Sequence, residues 1–142
     1  MSLMKSLQEF LRTYDGMELR PIQEIQTGIV GELGSMAIAP AGRGKCVKDI
    51  SGNRKFENNY VFYAKENIRD EIDRADMNDF LEDFSEWLEE QSDNGNFPDL
   101  KSGYEAISMT TSGGMLYDIT EDGAGVYMIQ IQMVIRRKRH EN

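Results

Sequence analysis

Asp76-Met-Asn-Asp-Phe-Leu-Glu-Asp-Phe-Ser-Glu-Trp-Leu-Glu-Glu-Gln91 is the stretch on which the fold turns. Its apolar residues Met77, Phe80, Leu81, Phe84, Trp87 and Leu88 recur at i, i+3, i+4 and i+7, which places them on one stripe of a 3.6-residue helix. The opposite arc holds Asp79, Glu82, Asp83, Glu86, Glu89 and Glu90, and no Lys or Arg interrupts it. Asp76 is the expected N-cap, and Asn94, Gly95 and Pro98 are the expected stop. Glu89 and Glu90 lie at the negative pole of the helix dipole, a penalty that burial of the stripe, at up to about 1.5–3 kcal/mol per large side chain, outweighs. Such a helix forms because it docks on something, so Phe80, Phe84, Trp87 and Leu88 are predicted to be core residues.

The surface it docks on is suggested by the last strong pattern in the chain, Val126 to Arg136. There Tyr127, Ile129, Ile131, Met133 and Ile135 alternate with Met128, Gln130, Gln132, Val134 and Arg136, the period of a strand with one buried face. Further strands are expected at Met36–Ala39, ended by Pro40 and a loop to Gly44; at Cys46–Ile50 and Lys55–Ala64, joined around Ser51-Gly52-Asn53; at Tyr104–Thr111; and at Met115–Ile119. Ser112-Gly113-Gly114 and Glu121-Asp122-Gly123-Ala124-Gly125 read as turns. Both faces of the Lys55–Ala64 strand are apolar near its end, which suits a central strand covered on both sides. Met4, Leu7, Phe10, Leu11 and Tyr14 predict a first helix, with Met1 to Leu3 set aside as a leader. Leu19–Gly34 fits either a short helix or a strand among turns, and Asn67–Ala75 reads as a charged connector. The order points to an α+β fold in one domain, 1–142, in which a largely antiparallel sheet of about four to six strands packs against an N-terminal helix and the acidic helix.

Charge is distributed unevenly. The net charge is −9, and Lys65–Asp93 carries twelve acids against three bases, so the rest of the chain is balanced at thirteen and thirteen. No apolar run is long enough to span a bilayer, and nothing at the N-terminus reads as a secretion signal, so an intracellular protein without a membrane partner is expected. One cysteine, Cys46, and one histidine, His140, leave little material for a disulfide framework, a cysteine-rich zinc site or histidine chemistry. Gly42-Arg43-Gly44-Lys45 falls short of a phosphate-binding loop, because Ala39 stands where the first Gly is needed and Cys46 where Ser or Thr is needed. Clustered carboxylates on one helix lack the convergence that a metal site draws from several elements. No catalytic residue, cofactor or metal is therefore expected. The C-terminal run Arg136-Arg137-Lys138-Arg139 reads as a basic tail over 136–142, either solvated, paired with an anionic surface of another copy, or touching phosphates.

Several of these stretches together resemble the minor capsid and tail-terminator (tail-completion) proteins of long-tailed bacteriophages and prophages of Gram-positive bacteria. The resemblance rests on the N-terminal helix, Met36-Ala-Ile-Ala-Pro40, Lys48-Asp-Ile-Ser-Gly52, Asn59-Tyr-Val-Phe-Tyr-Ala64, Phe84-Ser-Glu-Trp-Leu88, Pro98-Asp-Leu100 and Val126-Tyr-Met-Ile-Gln-Ile131. It implies a structural role without turnover in the virion neck or tail, after assembly in the host cytoplasm. The implied form is a ring of identical subunits, commonly six, that caps the tail tube and meets a head–tail connector. Under it, Arg136 to Arg139 of one subunit would meet the acidic helix of the next, or the acidic face would line the bore and keep DNA from sticking. Another minor capsid or head–tail joining protein is the alternative within the same resemblance, and a generic acidic adaptor or inhibitor, presenting the same helix to a basic partner, is the expectation from another class.

Overall fold

The computed structural model describes residues 2–14, 25–27, 36–67, 71–112, 114–121 and 123–138. Two helices, α1 (Leu3–Leu11) and α2 (Glu71–Asp93), accompany six strands: β1 (Ile25–Thr27), β2 (Met36–Lys48), β3 (Arg54–Asn67), β4 (Tyr104–Thr111), β5 (Met115–Ile119) and β6 (Ala124–Arg137). The strands form one sheet in the order β1-β2-β3-β6-β4, with β5 also on β6. All pairings are antiparallel except β1 with β2. The expected α+β architecture is thus present, with the final strand at the centre of the sheet.

Directly opposed residues in an antiparallel ladder share a face, so the registers define the core. Ile38, Phe62 and Ile129 form one row across β2, β3 and β6, and Met36, Ala64 and Tyr127 the next. Tyr127, Ile129 and Ile131 are buried as expected, and the stripe of α2 lies over this face, with Phe84 stacked on Phe62 at 4.8 Å between centroids. Met77, Phe80, Leu81, Phe84 and Leu88 are all buried. Trp87 departs from expectation and is only partly buried. It sits at the seam with α1, 5.4 Å from Phe10 and 5.1 Å from Tyr14.

Both helices exceed or shift their expected bounds. Ser2, set aside with the leader, is the N-cap of α1, and its hydroxyl accepts from the Lys5 amide at 3.1 Å. Asp76 does not cap α2, because the helix starts at least five residues earlier; Glu71–Ala75 contains no Gly or Pro to oppose helix. The C-terminal stop is as expected. Gly95 adopts φ +75°, its amide donates to Ser92 O at 3.1 Å, and the Asn96 amide donates to Gln91 O at 2.8 Å, the paired bonds of a Schellman cap.

Strand boundaries show three corrections. Pro40 does not end β2, which runs on to Lys48 through two register shifts between Pro40 and Cys46. A proline is tolerated there because, among the described residues, β1 covers β2 only at Met36–Ile38 and leaves the rest an edge, and Gly42 at φ +97° accommodates the irregularity. Ser112-Gly113-Gly114 does not reverse the chain. β4 and β5 lie along the same edge of β6 in the same direction, Thr111 opposite Ile131 and Met115 opposite Met128, so the segment is a one-residue bulge in a broken strand. Ser112 bridges the break: its amide donates to Gln130 O at 3.0 Å, and its hydroxyl accepts from the Gln130 amide at 3.3 Å. Third, the basic run is not a tail from Arg136 onward, since Arg136 and Arg137 belong to β6 and pair on both sides. The open segment Leu19–Gly34 contains β1; its other residues lie outside those described.

Candidate assembly surfaces

Two charged surfaces of opposite sign emerge from this fold. On α2, Asp79, Glu82, Asp83, Glu86, Glu89 and Glu90 are all exposed, as the stripe of Phe84 and Leu88 requires once it is docked on the sheet. Glu89 is tied to the sheet by the Thr111 hydroxyl, which donates to its Oε1 at 3.3 Å, and the Ser92 hydroxyl accepts from the Met109 amide at 3.0 Å. The acidic helix therefore runs beside the β4–β5 edge.

The second surface is basic and is made by strand register. Lys48 of β2 lies opposite Arg54 of β3, which lies opposite Arg137 of β6, which in turn lies opposite Tyr104 of β4. The adjacent row, on the other face, is Val47, Lys55, Arg136 and Glu105. Like charges held directly across a ladder oppose pairing, and three cations follow one another in the first row. Aromatic rings support one of these cations and two others: Arg137 lies 5.9 Å and Lys101 4.7 Å from the Tyr104 ring centroid, and the Arg43 guanidinium lies 4.3 Å from that of Phe56. Arg136, Arg137 and Lys138 are exposed there; Arg139 and His140 lie outside the described residues.

The sequence pattern had not singled out Lys48, Arg54 and Lys55 for this surface. A hairpin turn over Asp49–Asn53 brings Lys48 opposite Arg54, and its bonds are local: the Asp49 amide to Asn53 O at 2.8 Å, the Gly52 amide to Asp49 O at 3.0 Å and the Asn53 amide to Asp49 Oδ1 at 2.9 Å. That pairing could have been read from the turn. The apposition with β6, more than eighty positions away, had no local signal.

A depression of about 360 Å³ opens on the sheet, lined among others by Asn59, Thr110, Thr111, Ser112, Gln130 and Gln132. Amides and hydroxyls predominate, with Ala41 and Ile131 beside them, and Gln132 Nε2 donates to Asn59 Oδ1 at 3.2 Å. Tyr60, also at its border, has its phenol raised above the ordinary value of 10.0 by burial, against the opposing pull of the Asn58 hydrogen bond and the Arg43 charge. Burial likewise raises Tyr127, with Arg74 pulling down and Glu66 pushing up. A raised phenol keeps its proton in the folded state while the unfolded chain ionises, so the stabilisation is complete below about pH 10 and lost above it. Melting temperature is expected to hold up to about pH 10 and fall beyond it, with a shallower fall in Tyr60→Phe; identical alkaline profiles for the two proteins would refute this.

Among the described residues, no three His, Cys, Asp or Glu side chains gather where they could hold a metal ion, and no helix is long and apolar enough to cross a membrane. No protein-family model matches the chain, and no curated protein matches it significantly.

Proposed function

We propose that this chain is a structural protein of a phage neck or tail, a tail terminator whose homo-oligomeric ring caps the tail tube and offers a docking surface to the head. What carries the reading is the separation of charge onto two different surfaces of one chain, an acidic helix beside the β4–β5 edge and a basic row across β2, β3 and β6. Patches that differ and complement each other favour head-to-tail contacts between copies, which close into rings when the rotation allows. The sequence resemblance supplies the setting: a virion component assembled in the host cytoplasm, with the tube protein and a head–tail connector as partners. In this reading the protein performs no catalysis, binds no cofactor, and has neither a specific nucleic-acid partner nor a membrane one.

The test is capping. Purified full-length protein mixed with tail tubes of the corresponding phage is expected to stop tube elongation at fixed length and to appear as a ring at one end in electron micrographs. Tubes that elongate past their normal length and carry no terminal density would refute the assignment. A stable one-to-one complex with a basic protein in place of rings would favour the adaptor.

A further inference from the structure

Among the described residues, five large apolar side chains are well exposed, and they fall in two places. Val47 (48 %) and Ile50 (107 %) lie at the end of the β2–β3 hairpin, while Met115 (52 %), Leu116 (43 %) and Ile119 (58 %) lie on β5. Both places are also strand edges. β2 meets β1 only through Met36–Ile38, so its outer side from Ala39 to Lys48 has no paired strand among the described residues, and β5 is paired only with β6. An unpaired edge carrying apolar side chains invites another chain unless something covers it.

Charge distinguishes the two places. The hairpin arm from Ala41 to Lys55 carries Arg43, Lys45, Lys48, Arg54 and Lys55 against one acid, Asp49. From Met115 to Glu121 there is no base, Asp118 and Glu121 are exposed, and the strand just before, β4, is tied to the acidic helix through the Thr111–Glu89 bond. We infer that the β2–β3 arm of one copy docks on the β5 edge of a second copy, with Val47 and Ile50 against Met115, Leu116 and Ile119 and the basic flank against the acidic one. The surfaces are different patches, so the contact is heterologous and each copy has one of each to offer. Nucleic acid is the poorer occupant for the arm: an isoleucine wholly in solvent at the tip contributes little to phosphate recognition, and the chain's net charge of −9 repels a polyanion at long range. The junction deepens the ring reading and rests on it only for closure.

Sedimentation velocity on the full chain tests the junction. Wild-type protein is expected to form oligomers beyond dimer as concentration rises, and Ile50→Asp and Ile119→Asp each to weaken association at least tenfold. An equal mixture of the two variants restores one intact junction per pair, the arm of Ile119→Asp on the edge of Ile50→Asp, and is expected to stop at a dimer. Because a variant can fail for reasons of folding, Leu116→Cys provides an independent readout. Under mild oxidation it is expected to form a disulfide between copies with Cys46, which is exposed on β2. Wild-type protein that stays monomeric while duplex DNA binds the arm overturns the inference, as does a mixture that yields no dimer. Rings that persist in both single variants overturn the junction and leave the ring reading standing. Arm-dependent oligomers that never engage tail tubes support the junction and count against the phage role.

Discussion

Phe84→Ala is expected to lower the free energy of unfolding by about 3–5 kcal/mol, a large part of the ~5–15 kcal/mol that holds a domain folded. Phe84 is fully buried and joins all the layers of the protein. It stacks on Phe62 of the sheet at 4.8 Å, lies 5.9 Å from Phe80 on its own helix, and meets Tyr14 after α1 edge-on at 5.3 Å. Truncation removes the ring from all of these contacts and opens a cavity between two helices and a strand, where collapse in one direction pulls against the others. Urea titration should show the midpoint falling at nearly constant slope. Glu86→Ala, on the exposed face of the same helix, should stay within about 0.5 kcal/mol of wild type. A loss below about 1.5 kcal/mol for Phe84→Ala would mean that α2 does not dock through this residue.

Gly114→Ala is expected to destabilise by about 1–3 kcal/mol, and here the sign carries the information. In open space, replacing a loop glycine by alanine stabilises by about 0.4–1 kcal/mol, because the unfolded chain loses freedom. At Gly114 an added Cβ would stand 2.7 Å from Leu81 Cβ and 2.9 Å from its Cδ1. The nearest of those atoms is fixed to the helix backbone, so no rotamer change relieves the contact. Leu81→Ala should therefore fail to rescue Gly114→Ala fully, since the Cβ remains. A Gly114→Ala protein more stable than wild type in thermal melts would show that the helix does not approach the β4–β5 break so closely.

How much of this was legible in the chain depends on the range of each signal. The stripe from Met77 to Leu88 and the alternation from Tyr127 to Ile135 record burial locally, one period at a time, and both elements appeared where their patterns placed them. Gly95 could be read as a stop because a left-handed residue is a local need. The misreadings came from residues with two uses. Glycines in Ser112-Gly113-Gly114 suit a turn, but Gly114 admits a helix pressed against the strand. Pro40 forbids a ladder amide, yet at a sheet edge that loss costs little. Trp87 has the spacing of a core residue, and only the position of Phe10 and Tyr14 shows that it fills the seam between the helices. Of the candidate surfaces, the acidic one was visible because six carboxylates, Asp79, Glu82, Asp83, Glu86, Glu89 and Glu90, share the arc opposite the apolar stripe. The basic one was half visible: Arg136 and Arg137 are adjacent in sequence, while Arg54 and Lys55 join them through the register of β3 with β6, and Lys48 through its pairing with Arg54.

That same register governs how the chain must come together in time. β6 is the last strand and fills the slot between β3 and the β4–β5 edge, with Arg54 joined to Arg137 and Asn67 to Ala124. A ribosome adding ~5–20 residues per second exposes β3 for several seconds before its partner exists. During that interval Tyr60, Val61 and Phe62 have an unsatisfied ladder beside them, and the stripe of α2 has only half of its floor. Nascent chains are therefore most exposed to wrong partners between the synthesis of β3 and that of β6. A C-terminal truncation that removes β6 takes away an inner strand of the sheet, and with it the ladder partner of both Phe62 and Met109.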